Sequence, residues 1–182
     1  MKINQRRSLC LAALVGGTWL MAGTLLPELV AKEFVPYRGS GWGTPLVIES
    51  LPPTEEYPYG GLRGVFVESG QATHFGHYTV WWEFTGYFDF DEDEQVWVFL
   101  FGGQYTLTAA DGSSVIGVVT AREVLPPDGP PWYFTGTIQI TEGTGRFEGV
   151  SGAWEMVGES TGDYTYTTEG MIASVGSLRS RK

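Results

Sequence analysis

Apolar side chains recur along this chain with period two. Between positions 132 and 141 the even residues are Trp132, Phe134, Gly136, Ile138 and Ile140, and the odd ones Tyr133, Thr135, Thr137, Gln139 and Thr141. Successive side chains of a strand point to opposite faces, so this run has one apolar and one polar face. Tyr78, Val80, Trp82 and Phe84 repeat the pattern against Thr79, Trp81 and Glu83. Eight such runs are predicted as strands, over 46–50, 62–68, 73–85, 96–109, 114–124, 132–141, 153–160 and 164–175. No window carries the 3.6-residue period of a helix. Asp111-Gly112 marks a tight hairpin, Ser69-Gly70 is read as a turn, and the four prolines between 125 and 131 require a loop.

The expected fold is all-β: a single antiparallel, eight-stranded, calycin-like barrel following an N-terminal signal segment. Residues 32–45, with Pro36, Pro45 and three glycines, read as a linker. The barrel is expected over 46–176 and a short basic tail over 177–182. Residues 96–101 are apolar on both faces, which predicts cover from the core within and from a loop or a second chain without. A homo-oligomer, dimer or trimer, follows as an expectation.

Residues 1–31 are set apart from the fold. Lys2, Arg6 and Arg7 precede a charge-free apolar stretch from Ser8 to Leu26, the layout of an export signal, and Arg6-Arg7-Ser8-Leu9 resembles a twin-arginine signal. The expected location is therefore exported, either periplasmic or secreted, with membrane attachment only if the segment is retained. The one cysteine, Cys10, lies inside this leader, so the mature chain carries no disulfide. Removing Lys2, Arg6, Arg7 and Glu28 leaves 8 basic and 20 acidic residues and takes the net charge from −10 to −12. That balance argues against nucleic acid as a partner.

The stretch Ile140-Thr141-Glu142-Gly143-Thr144-Gly145-Arg146-Phe147-Glu148-Gly149-Val150-Ser151-Gly152 resembles the glycine-rich turn of the allene oxide cyclase and dirigent barrel superfamily. Gly70-Gln71-Ala72-Thr73-His74-Phe75-Gly76 and the hairpin Thr106 to Ser113 are similar to segments of exported bacterial proteins of that type. The resemblance implies an eight-stranded barrel, often dimeric or trimeric. In the superfamily's enzymes, the chemistry lies inside the barrel on residues outside this turn. Read physically, Gly143, Gly145, Gly149 and Gly152 permit backbone conformations closed to other residues, and Phe147 is placed to plug one barrel end. Arg146 and Glu148 are expected to tie the turn down through an ion pair or hydrogen bonds.

Several motifs are weighed and set aside. Gly158-Glu159-Ser160-Thr161-Gly162 has the spacing of a nucleophile elbow, but a strand is expected after it and both histidines precede the serine. The glycines from 143 to 149 precede no helix, so they carry no dinucleotide signature. His74 and His77, three apart, face opposite sides of a strand, and no metal site is expected. Asp89 to Glu94 lacks the glycine and distal glutamate of a calcium loop and reads as a solubilising hairpin loop. No cofactor is expected.

The surplus of aromatics, 26 of 182 residues, is the remaining clue. Tyr78, Trp82, Glu83, Tyr105, Arg122, Trp132 and Trp154 are the candidate ligand-binding residues, with Glu123 and Glu155 as further polar interruptions of apolar strands. The expected function is the binding of a small apolar molecule in or at the barrel. The alternatives are a cofactor-independent cyclase or isomerase, with no catalytic residue assigned, and a surface module that contacts glycans or a partner. A cavity of several hundred Å³ ending in a buried carboxylate or tyrosine is the feature expected of the enzyme.

Overall fold

The computed structural model describes residues 33–173. The expected leader (1–31) and basic tail (177–182) lie outside the described residues. Eight strands follow one another: β1 (Phe34–Leu51), β2 (Gly61–Ala72), β3 (Gly76–Asp91), β4 (Val96–Ala109), β5 (Ser114–Leu125), β6 (Trp132–Gly143), β7 (Ser151–Ser160) and β8 (Tyr164–Ala173). Each pairs antiparallel with the next, and β1 also pairs with β8, which closes the barrel. Closure removes the exposed sheet edges that invite aggregation. The one helical piece among the described residues is a three-residue 3-10 turn, Gly145–Phe147.

Alternation is clearest on β3 and β6, while on β4 the adjacent Val98 and Phe99 are both buried. On β6, Phe134, Ile138 and Ile140 are buried while Thr135, Thr137, Gln139 and Thr141 are exposed. An apolar inside and a polar outside is the reverse of the alternation used by a lipid-facing barrel.

The expected linker is overturned, since Phe34 to Pro45 forms the first two-thirds of β1. Its glycines are strand residues that make room for tyrosines. A β-carbon on Gly43 would lie 2.3 Å from Tyr164 Cζ, and one on Gly41 2.5 Å from the Tyr166 hydroxyl. The expected turn at Ser69-Gly70 is overturned in the same way: both residues lie within β2, and Gly70 sits under the Tyr78 ring. Period-two counting lost these positions because the apolar surface there comes from the neighbouring strand's tyrosine. The actual β2–β3 turn is Thr73 to Phe75, with His74 at φ 68 and Gly76 at φ 68.

One end of the barrel is packed shut. Phe147 is buried and meets Phe75 with ring centroids 4.5 Å apart, and Tyr37 stacks on Trp154 at 4.5 Å. The glycine-rich turn that holds this plug is anchored by the Arg146 side chain and not by that of Glu148. Arg146 pairs with Asp111 rather than Glu148 (3.1 Å), donates to the carbonyl of Phe75 (3.0 Å) and lies over the Phe147 ring. Gly145, Gly149 and Gly152 take positive φ there.

The outer side of β4 gains part of its cover from the chain itself. Tyr57, in the β1–β2 connection, stacks on Tyr87 at 3.6 Å, and Tyr87 is the ladder partner of Leu100. Leu100 stays 44% exposed.

The glycine–tyrosine exchange makes a prediction. Gly43→Ala forces the Tyr164 ring from its place and is expected to cost about 1–3 kcal/mol of stability in urea denaturation. A loss below about 0.5 kcal/mol, the range of neutral surface changes, would show that the ring yields freely.

Candidate functional site

The middle of the barrel holds one carboxylate in a ring of phenols. Glu68 points inward from β2, 4% exposed. Tyr164 and Tyr166, two apart on β8 and therefore on one face, each donate a hydrogen bond to it at 2.6 Å, one to each oxygen. Because the Tyr166 proton is committed to Glu68, the 3.0 Å contact between Tyr78 and Tyr166 has Tyr78 as donor. The indole N–H of Trp82 donates to the Tyr164 hydroxyl at 3.1 Å. Two short donor chains therefore converge on the carboxylate.

Burial pushes the Glu68 carboxyl up to about 7, against the pull of the two tyrosine donors. Burial first, and then the nearby Glu68 charge, lift Tyr105, Tyr164 and Tyr166 well above the ordinary phenol range, so all three stay neutral. Tyr78 is pushed up to about 12, again mainly by burial.

Beyond this layer, away from the Phe147 plug, the barrel is open. A cavity of about 380 Å³ runs from Trp82 and Tyr164 at its floor to Ile48, Leu125, Trp132 and Gly162 at its rim. Its wall is built mainly of aromatic rings, among them Phe66, Phe84, Phe99, Phe101 and Phe134. Phe66 stacks on Trp82 at 5.0 Å and Phe99 on Phe101 at 5.2 Å, so these rings are fixed by one another.

One charged side chain breaks this wall. Glu123 enters from β5, between its ladder partners Phe99 and Phe134. Its carboxylate has no hydrogen bond or ion pair among the described residues, and burial alone pushes it up to about 7. Glu68 and Glu123 thus reach similar values through burial in different surroundings, the first inside a hydrogen-bonded network and the second facing the cavity.

Of the residues expected from the sequence, Trp82 and Trp132 line the cavity. Tyr78 belongs to the Glu68 network one layer below. Tyr105 and Trp154 are buried in the packed part, and the Trp154 indole N–H has no acceptor. Glu83 is exposed on the outer face of β3, because it alternates with Trp82 and Phe84. Arg122 also faces outward, held by Asp91 at 2.8 Å and Glu94 at 2.7 Å. Neither touches the cavity. Asp91 accepts from the Asp93 and Glu94 amides as well, so the acidic run forms a self-bonded hairpin turn.

Glu68 was missed. Its signal was present, for Leu62, Gly64, Phe66, Gly70 and Ala72 share its face of β2 and it is the one charge among them. His74 sits in the β2–β3 turn with Nε2 3.1 Å from the Pro36 carbonyl, while His77 is exposed on β3. Among the described residues, no three His, Asp or Glu side chains converge as metal ligands.

The sequence matches no family model, and no curated protein or solved structure is significantly similar to it.

The raised carboxyls link folding to pH. A glutamate with a higher pKa when folded than unfolded binds more protons in the native state, so its contribution to stability falls as pH rises from about 4.5 to about 7. Glu123→Gln removes this term. Urea denaturation is expected to show the variant gaining stability over wild type at pH 8 and little or none at pH 5. Equal shifts at both pH values would contradict the inward, desolvated position of Glu123.

Proposed function

We propose that this chain is an exported barrel protein that binds one small, mainly apolar molecule in the open end of its barrel. The observation that carries the reading is the cavity itself, about 380 Å³, aromatic-walled and closed below by Trp82 and Tyr164. Its volume falls at the lower end of the roughly 300–1,000 Å³ usual for small-molecule sites. Concave apolar surface of this kind is where burial rewards a ligand most, at about 25 cal/mol per Å².

The eight-stranded closure and the Phe147 turn support placing the chain with the allene oxide cyclase and dirigent barrels. Lys2, Arg6 and Arg7 before the charge-free stretch support export. Exposed Trp42 and Val157, on the outer side of β1 and β7, support a dimer or trimer. Native mass spectrometry of the chain recovered from the periplasm or medium is expected to show the leader gone and an oligomer present. A full-length monomer would remove both assignments.

Glu123 favours a second reading, a cofactor-independent cyclase or isomerase. An unpartnered carboxylate that titrates near neutrality against an apolar wall has the properties of a general base for a C–H bond held beside it.

Octan-2-one tests both readings. One molecule per chain is expected to bind and to shift tryptophan emission through Trp82 and Trp132. Ser160→Phe, which fills the rim, is expected to weaken binding about tenfold or more while leaving the circular dichroism unchanged, a difference of about 1.4 kcal/mol. Faster exchange of the ketone's α-protons in D2O, lost in Glu123→Gln, would support the enzyme. Binding without exchange would leave a binding protein, and the absence of binding would end both readings.

A further inference from the structure

Glu123 is the feature that binding of a neutral apolar molecule leaves unexplained. A carboxylate between Phe99 and Phe134, without a hydrogen bond or ion pair, destabilises the folded barrel whenever it is ionised. Either a proton or a bound cation can relieve it. The cavity is lined by Phe, Trp and Tyr rings, residue types whose faces attract a positive charge and repel a negative one.

A second, independent feature lies at the rim. The four connections at the open end carry Glu55 and Glu56 between β1 and β2, Glu92 to Glu94 between β3 and β4, Asp128 between β5 and β6, and Asp163 between β7 and β8. None of these connections contains a lysine or an arginine. Arg122, on the outer face of β5, is spent on Asp91 and Glu94. At the plugged end, by contrast, Arg146 balances Asp111. An end of the barrel with an excess of one sign of charge raises the local concentration of the opposite ion.

We propose that the occupant of this cavity is a lipophilic cation, an amine or quaternary ammonium compound, with its charged head against Glu123 and its apolar body among the phenylalanines. The inference rests on the reading of the cavity as a ligand site and names the ligand's class. It also names what the site rejects: an anion such as a fatty-acid carboxylate meets Glu123 and the acidic rim as like charges. Among the described residues, Glu123 and Tyr164 are the only titratable groups lining the cavity, and Tyr164 is held neutral by burial and by the Glu68 charge. Glu68, bonded to Tyr164 one layer below, is lifted to the same range as Glu123, so the pH response is assigned to Glu123 by its loss in Glu123→Gln.

Three probes with one tail test this: octylamine, octan-1-ol and octanoate, titrated calorimetrically at pH 6 and pH 8. Octylamine stays protonated at both. It is expected to bind about tenfold tighter than octan-1-ol at pH 8, with a smaller margin at pH 6, and octanoate to bind weakest. Glu123→Gln is expected to erase the amine's advantage while octan-1-ol binding stays within about twofold, because the apolar wall and the acidic rim are both retained. An amine preference that survives Glu123→Gln would place the cation on the rim acids and overturn the proposal. Octan-1-ol binding as tightly as octylamine in the wild type would overturn it too, yet leave the apolar cavity standing as a ligand site. Failure of all three probes to bind would overturn the cavity reading together with this one.

Discussion

The interaction on which the barrel's interior depends is the capture of the Glu68 carboxylate by Tyr164 and Tyr166. A carboxylate taken out of water must be given donors, and here each oxygen receives one phenol at 2.6 Å. Phenols long enough to reach the barrel axis need space at their own strands, and glycines across the ladder provide it. Gly43 lies under Tyr164, Gly41 under Tyr166 and Gly70 under Tyr78. The flat, glycine-rich β1 and the tyrosine-rich β8 are therefore two halves of one arrangement. Their shared layer also divides the barrel, with packed rings down to Phe147 on one side and the cavity on the other.

That division sorts the two buried carboxyls. Glu68 is expensive to bury, but its hydrogen bonds are complete and it faces only protein, so its role is to hold the floor in place. Glu123 is less deeply set and has no partner, and it faces the cavity. Similar titration near neutrality therefore has opposite meanings at the two positions: at Glu68 the donors moderate a cost of burial, and at Glu123 nothing in the protein does.

Much of the fold was legible in the chain. Period-two alternation on β3 and β6, the Asp111-Gly112 hairpin and the proline-rich β5–β6 connection follow from side-chain direction and turn chemistry, which are local. The glycine-rich turn around Phe147 was legible for the same reason. Misreading arose where a residue's role is set by a partner distant in sequence. Gly41 and Gly43 look like linker residues until Tyr166 and Tyr164, more than a hundred positions away, are placed against them.

The candidate site shows the same limit. Composition and alternation determined that aromatic side chains would fill the inside of a closed sheet, and Trp82 and Trp132 were correctly marked as inward. Alternation also shows that Glu123 shares a face with Val119 and Ala121, while Arg122 between them must point out; parity alone separates those two neighbours. Only the tertiary structure decided which inward side chains are packed and which border empty space, because a cavity is the volume left by eight strands together and no single strand records it. It likewise decided that Glu68 is satisfied and Glu123 is not, since a carboxylate's partners come from whichever strands the closed barrel brings within 3 Å.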